Sequence, residues 1–437
     1  MSNFLKEFKK KIAQKKLKIA VVGLGYVGLP LAVEFAKKGF SVLGIDLDKD
    51  RIDKIKKQQS YITDLKREVL KEVIREKKFL VENNFHGLKK TDVVLICVPT
   101  PLKRKYHPDI SFILNAVKAI ADNMKKKTLV ILESTTYPGT TEEIILPSLE
   151  KDALKHGRDF YLCFSPERID PGNAKYPLNK IPKVIGGINP EAASLGTLVY
   201  RIIIPKVIPV SSCRVAETAK LLENTFRLVN IGLIDELAMM AHNMNIDIWE
   251  VVKAAATKPF GFMPFYPGPG VGGYCIPKDP LYLYWKAKKF GFKSRFIKLA
   301  SRVITYMPEY VVERIIDLLK HNTQYAIHNT KVLIIGVTYK KDIQDLRKSP
   351  ALEIIEILQK RKAGVSYYDP LIPYLKLNHI NLKSLNLNKK NLGRFDCAVI
   401  VADHTGVDYR FILKNSKLIF DTRNVYKNIK NRKIFKL

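Results

Sequence analysis

The chain has 437 residues, enough for two or three domains with separate cores, and 46% hydrophobic with 27% charged content is the balance of a globular protein, not of a fibrous or disordered one. Its formal charge of +33, from 75 basic against 42 acidic residues, raises the question of a nucleic-acid partner. The lysines run along the whole chain without a nucleic-acid motif, so no nucleic-acid partner is expected; the surface is read as basic and solvated, able to gather a polyanionic small substrate.

A basic leader covers residues 1–16, with Phe4, Leu5, Phe8 and Ile12 at helical spacing among lysines. Such a helix can lie on a membrane surface or pack on its own protein, and the second is favoured for a terminal segment. Lysines ahead of the apolar stretch from Ile19 to Val33 imitate an export signal, but that stretch holds a glycine motif and reads as a buried strand and helix. No run of about twenty apolar residues is present, so no stable membrane association is expected.

From residue 17 to about 210, short apolar runs alternate with helical segments. Strands are expected at Lys18–Val22, Ser41–Ile45, Val93–Cys97 and Leu129–Leu132, which implies a doubly wound parallel sheet. Apolar residues then recur every three or four positions from Arg214 to about Asn245, and a second helix is expected at Asp247–Thr257. The Gly/Pro-rich stretch Lys258–Pro280 reads as loop, followed by helix to about Lys320. The strand–helix pattern restarts at Lys331–Gly336 and continues through Val365–Asp369, Asp396–Val401 and Lys417–Asp421. The expected organisation is an α/β chain of two Rossmann-like domains, residues 17–212 and 328–437, joined by a helical domain over residues 213–327 that carries a long helix.

Gly23-Leu-Gly25-Tyr-Val-Gly28 follows a strand and opens a helix, the setting in which glycines let a pyrophosphate approach the helix N-terminus. Asp46 ends the second strand, where an acid binds the ribose hydroxyls and repels a 2′-phosphate, so NAD is favoured over NADP. Hydride transfer alone takes an alcohol only to an aldehyde or ketone. Cys275, in the run from Pro267 to Asp279, can trap an aldehyde as a thiohemiacetal and then a thioester, allowing a second oxidation. An ordinary thiol is only about 3% thiolate at pH 7, and a helix N-terminus or a lysine raises that fraction. Glycines 270, 272 and 273 are expected to clear space for a ligand, and Asp279 lies one turn from Cys275 if a helix starts there. Lys220 and Asn224 share a helix face, but spacing alone favours a solvated pair; Glu167 by itself reads as an exposed loop carboxylate. The five cysteines (97, 163, 213, 275 and 397) form no CxxC pair and the eight histidines no metal spacing, so a reducing cytoplasm and no metal are expected.

Taken in order, the motifs resemble those of the nucleotide-sugar 6-dehydrogenases. They are Gly23–Pro30, Cys97-Val-Pro-Thr-Pro101, Glu133–Thr140, Ser165-Pro-Glu167, Lys220 with Asn224, the loop Gly270–Asp279, Tyr339-Lys-Lys-Asp342 with Arg347, and Asp421-Thr-Arg423. The resemblance covers nearly the whole chain and reverses the bland reading of Lys220 and Asn224. It implies that Cys275 is the nucleophile, that Lys220 and Asn224 steady the oxyanion, that Asp279 with Thr135 or Thr136 holds water, and that Glu167 assists proton transfer. It implies cofactor contacts from Gly23, Gly25, Tyr26, Val27, Gly28, Asp46, Arg51, Thr100, Thr136 and Arg347. Contacts to a UDP-sugar are implied for Arg168, Lys220, Asn224, Tyr266, Gly272, Lys340 and Arg423, and a homodimer through the long helix, or a higher homo-oligomer built on it.

Departures narrow the substrate. Arg168 and Pro171 stand where UDP-glucose enzymes carry an apolar residue and a second glutamate, an interlocking arginine is missing from Lys258–Pro264, and Tyr274 replaces a frequent histidine. The motif details look most like the UDP-N-acetylglucosamine enzymes of surface-polysaccharide pathways, with UDP-N-acetylmannosamine next and UDP-glucose after it. A two-electron hydroxyacid-type dehydrogenase would have no use for Cys275. A non-enzymatic sugar-nucleotide binder would not need the cysteine, lysine, asparagine and aspartate together.

Overall fold

The computed structural model describes residues 3–62, 65–103, 107–150, 154–170, 172–173, 175–322, 327–377 and 379–437, so Pro171 lies outside the described residues. The chain divides into two compact units, Met1–Glu223 with Leu281–Phe292, and Asn224–Pro280 with Lys293–Leu437. The helical middle, expected as a third domain, is divided between them.

The first unit is built on β1 (Lys18–Val22), β2 (Ser41–Ile45), β3 (Phe79–Glu82), β4 (Val93–Ile96), β5 (Thr128–Leu132), β6 (Phe160–Phe164), β7 (Lys183–Gly187) and β8 (Val207–Val210). Their order is β3-β2-β1-β4-β5-β6-β7-β8, so strand order reverses between β1 and β4, where the crevice of a doubly wound sheet lies. Central strands such as β4 and β5 are buried along their whole length because helices cover both faces, which is why they read as continuous apolar runs. All described pairings in this sheet are parallel except β6 with β7, which pair antiparallel with Cys163 opposite Gly187 and Phe164 opposite Gly186. That reversal was not legible in the sequence.

The leader forms a helix, Asn3–Ala13, whose apolar face is taken up by its own unit. Phe8 is buried in the core, the Phe4 ring stacks on Tyr161 at 5.2 Å, and Lys11 pairs with Asp92 at 3.1 Å. Among the described residues no helix is long and apolar enough to cross a membrane.

The second unit carries β9 (Lys331–Ile335), β10 (Gly364–Tyr368), the hairpin β11 (Tyr374–Leu377) with β12 (Ile380–Lys383), β13 (Cys397–Ile400), β14 (Ile419–Asp421) and β15 (Ile434–Lys436). Its five-stranded parallel sheet runs β10-β9-β13-β14-β15. Asp369, after β10, accepts the Val337 N–H at 2.7 Å, just as Asp46, after β2, accepts the Leu24 N–H at 2.8 Å. The second sheet thus repeats the acid-to-turn bond of the first without its three glycines.

The long helix spans Cys213–Asn243. At 3.6 residues per turn, Glu217, Lys220, Asn224 and Asp235 fall within about 60° of one another, and all four are buried. Val215, Leu222, Phe226, Leu233 and Met240 lie roughly opposite, and all five are exposed. The helix also buries Ala216, Leu221, Leu228, Ile234, Ala238 and Ala241, so it carries apolar side chains on its inner and outer faces alike.

Candidate active site

The glycine motif of the first unit serves three separate steric needs. Gly23 has φ +91°, and a Cβ there would meet the Cys97 carbonyl at 2.8 Å. A Cβ on Gly28 would fall 1.9 Å from the Gly23 oxygen, so only glycine lets the helix start this close to the turn. A Cβ on Gly25 would meet nothing within 4 Å, which leaves an open approach to the helix Gly28–Lys37. Open space at the middle glycine and closed space at the outer two is what a bound pyrophosphate requires, so the turn fits NAD. Tyr26, beside Gly25, is exposed, and Val27 immediately precedes the helix.

Asp46 holds this turn by accepting the Leu24 N–H, accepts the Asp48 N–H at 2.9 Å, and pairs with Arg51 at 3.3 Å. Tyr61, which sequence reasoning missed, donates its hydroxyl to the Leu24 carbonyl at 2.5 Å and lies under the Arg51 guanidinium at 6.0 Å. Thr100 is buried, and its carbonyl accepts the hydroxyl of fully buried Tyr282.

Glu133 opens the segment bearing Thr135 and Thr136. The Thr136 hydroxyl donates to Thr140 at 2.6 Å, and Thr140 donates to the Tyr137 carbonyl, so Thr136 is committed to the turn while Thr135 is only half-buried. This turn is anchored by Glu217 of the long helix, another residue missed from sequence. Its carboxylate accepts the Gly139 N–H at 2.5 Å, and the Thr141 N–H and hydroxyl at 2.9 and 2.7 Å. Burial pushes the Glu217 carboxyl up to about 7, against those donors. Lys220, one turn on, is buried, and its ammonium has no hydrogen-bond or ion-pair partner among the described residues, an arrangement suited to meeting an oxyanion.

Glu167 is not the exposed loop carboxylate its spacing suggests. It accepts the N–H groups of Arg168 and Ile169 at 2.5 and 2.7 Å and meets the Lys183 ammonium at 3.2 Å. Burial works to raise its carboxyl, but Lys183 and the two amide donors prevail and hold it below the usual range. Arg168, expected to contact substrate, directs its guanidinium to Glu223 at 2.7 Å and to the Pro182 carbonyl at 2.7 Å, tying the loop to the long helix.

In the second unit, Cys275 is exposed and is the first residue of the helix Cys275–Lys289. The sequence reading ended the loop at Pro280 and so began the helix at Leu281; the helix instead begins six residues earlier, at Cys275. Pro277 falls in the first turn, where a missing N–H costs nothing, and Pro280 forgoes a single intrahelical bond. The partial positive charge of a helix N-terminus favours an anionic sulfur at its first residue. One turn below, Asp279 is 1% exposed and accepts the Asn224 amide N–H at 2.6 Å. Lys278 has its ammonium pKa lowered, first by burial and further by Lys348 and Arg347, against the pull of Asp279 and Cys275.

The glycines before Cys275 do not clear space for a ligand as expected. A Cβ on Gly272 would lie 2.4 Å from Tyr339, one on Gly273 3.0 Å from the Tyr339 ring, and one on Gly270 3.2 Å from Pro308. They admit the chain's own neighbours instead, and the Gly273 N–H donates to the Arg347 carbonyl at 2.8 Å. The Arg347 guanidinium lies 5.1 Å above the Tyr274 ring and pairs with Asp345. Tyr266 is exposed and stacks on Trp249 at 6.0 Å. Lys340 is half-buried, and its carbonyl accepts from Thr338 at 2.9 Å. Arg423 donates to the Val401 carbonyl at 2.8 Å and borders Gly268, whose N–H donates to Asp235 at 3.0 Å. Asp235, on the long helix, was also missed; burial pushes its carboxyl up to about 8. Among the described residues no cluster of His, Cys, Asp and Glu could hold a metal ion.

The sequence profiles of the UDP-glucose/GDP-mannose dehydrogenase family match in three parts: the NAD binding domain over residues 17–204, the central domain over 214–304 and the UDP binding domain over 333–428. A UDP-N-acetyl-D-glucosamine 6-dehydrogenase of Pseudomonas aeruginosa is 41% identical, covering 82% of this chain and 84% of its own. A UDP-N-acetyl-D-mannosamine dehydrogenase of Pyrococcus horikoshii is 36% identical, over 94% of this chain and 96% of its own. A solved structure of UDP-D-ManNAc dehydrogenase from Pyrococcus horikoshii superimposes with a TM-score of 0.87 at 34% identity, covering 96% of this chain and 99% of that one.

The glycine geometry separates two substitutions. Gly28→Ala forces a clash with backbone and should cost about 1–3 kcal/mol of stability, seen as a lowered Tm. Gly25→Ala should leave Tm unchanged and weaken NAD at least about tenfold by calorimetric titration, because its methyl fills only the ligand's space. Unchanged NAD affinity in Gly25→Ala would contradict the assignment of this turn.

Proposed function

The chain belongs to the UDP-glucose/GDP-mannose dehydrogenase family and is an NAD-dependent UDP-sugar 6-dehydrogenase; on that premise we propose that it oxidises the C6 hydroxyl of a UDP-N-acetylhexosamine to the carboxylate through a thioester on Cys275. The observation that carries this reading is the helix start at Cys275 with the buried Asn224–Asp279 hydrogen bond one turn below it. A two-electron dehydrogenase has no need for either.

Bound NAD supplies the hydride acceptor, used twice per sugar. Glu167 accepts the proton of the C6 hydroxyl as the aldehyde forms and passes it to solvent before the next step. The Cys275 sulfur adds to the aldehyde carbon, and Lys220 and Asn224 donate to the resulting oxyanion. Oxidation of that thiohemiacetal leaves a thioester on Cys275. Asp279 and Thr135 orient a water whose oxygen bonds to the thioester carbon while the carbon–sulfur bond breaks, and Glu167 takes the proton. Lys340 and Arg423 hold the diphosphate and sugar, with Tyr266 flanking them. The remaining cofactor contacts are Arg51, Thr100, Thr136 and Arg347.

UDP-N-acetylglucosamine is the favoured substrate, supported by the motif details around Glu167 and by the name of the 41% identical relative. The mannosamine epimer is the second reading, supported by the names of relatives matching most of both chains. One acetamido or hydroxyl contact is worth only a few kcal/mol, so such a switch needs few residues. The reduced cytoplasm suits a nucleophilic thiolate, and surface-polysaccharide synthesis is the use proposed for the uronate. The outward apolar stripe of the long helix supports a homodimer, because a row of exposed large side chains marks an interaction face.

Leu233→Arg, in the middle of that stripe, should convert a dimer to a monomer by sedimentation; a single species of unchanged mass would remove the stripe from the interface. The reaction is tested by the NADH released per sugar consumed with UDP-N-acetylglucosamine, UDP-N-acetylmannosamine and UDP-glucose in parallel. Two NADH per sugar, with UDP-N-acetylglucosamine preferred, is expected. One NADH per sugar would remove the thioester route, and a preference for another sugar would correct the substrate.

A further inference from the structure

The one antiparallel pairing in the first sheet has a chemical effect. In a parallel sheet every strand starts at the edge away from the ligand crevice. β7 runs against β6, so its first residue, Lys183, arrives at the edge where β5 and β6 end. Extending the register of Cys163 with Gly187 and Phe164 with Gly186 sets Lys183 opposite Glu167. The ammonium is 3% exposed and lies 2.6 Å from the Glu133 carboxylate and 3.2 Å from that of Glu167. Tyr200 donates its hydroxyl to the other Glu133 oxygen, and its ring lies 5.0 Å from the Lys183 ammonium.

We propose that Lys183 is a positioning residue for the reaction: delivered by the reversed strand and braced by Glu133 and Tyr200, it keeps Glu167 a carboxylate aimed to accept protons. The proposal rests on the reading of Glu167 as the proton acceptor. A buried ion pair is a poor way to gain stability, because desolvation of both charges offsets their attraction. Two carboxylates around one cation are a worse one. The arrangement makes sense as a device for setting charge. One Glu167 oxygen is fixed by two amides of its own loop, and the other faces Lys183. The shorter contact goes to Glu133, so Lys183 is held firmly from behind and touches Glu167 more loosely. The ionisation behaviour agrees with the geometry. Burial pushes Glu133 up to about 7, whereas Glu167, also opposed by burial, is held below the usual carboxylate range by Lys183 and its amides. During hydrolysis a water O–H bond breaks, its oxygen bonding to the thioester carbon and its proton passing to Glu167. Lys183 keeps its own proton throughout.

The test is the pH dependence of kcat for the full chain with NAD and the preferred UDP-sugar. A base must be ionised to act, so its pKa sets the acidic limb, and loss of a neighbouring cation raises that pKa. Lys183→Gln should move the acidic limb upward by at least about one pH unit, and Lys183→Arg should restore it. Glu133→Gln leaves Lys183 to pair with Glu167 alone and should move the limb downward; it decides the matter if Lys183→Gln fails to fold. Glu167→Gln should lower kcat and abolish the limb. If Glu167→Gln does so but the limb stays in place in Glu133→Gln and in folded Lys183→Gln, the role of Lys183 is overturned and that of Glu167 stands. Full kcat with an intact limb in Glu167→Gln would overturn both.

Discussion

Three buried polar side chains on one face of the helix Cys213–Asn243, Glu217, Asn224 and Asp235, impose the constraint on which the site depends. A buried carboxylate or amide left without a partner costs about 1–3 kcal/mol, more when charged, so each recruits a specific piece of chain. Glu217 takes the N–H groups of Gly139 and Thr141, which fixes the turn that follows Thr135 and Thr136. Asn224 takes Asp279, which sets the register of the helix that begins at Cys275. Asp235 takes the Gly268 N–H at the border of Arg423. On the proposed reading, these hydrogen bonds locate the catalytic segments of each unit.

Glycine placement shows two uses of the same residue. At Gly25 the missing side chain leaves space for a ligand, whereas at Gly272 and Gly273 it leaves space for Tyr339. The resulting close packing draws the Gly273 N–H onto the Arg347 carbonyl and holds the segment that leads into Cys275. On the proposed reading, the sulfur at the first residue of this helix gains the helix's partial positive charge.

Much of this was legible in the sequence because it is local. The strands β1, β2, β4, β5 and β9 read as apolar runs, the glycine turn as a strand-to-helix junction, and the long helix by its period, with ends shifted by one or two residues. The family resemblance supplied the site residues that spacing could not. What escaped was non-local. Nothing in the spacing pairs Glu133 with Lys183, which lie on strands separated by β6 and meet only because β7 is reversed. Glu217 and Asp235 carry no signal in the spacing, since a charged residue is usually exposed, and only packing shows them inside. The helix start at Cys275 was hidden by prolines that normally signal loop. Arg168 looked like a substrate contact until its partner Glu223 was in place.

The central claim is that the sulfur of Cys275 carries the sugar between two oxidations. Its most direct measurement is uronate formation by Cys275→Ser beside NAD affinity for the same variant. The account predicts that uronate formation is lost while NAD binds within a few-fold of the unsubstituted enzyme, because the cofactor turn lies wholly in the first unit. Undiminished uronate formation by Cys275→Ser would contradict it.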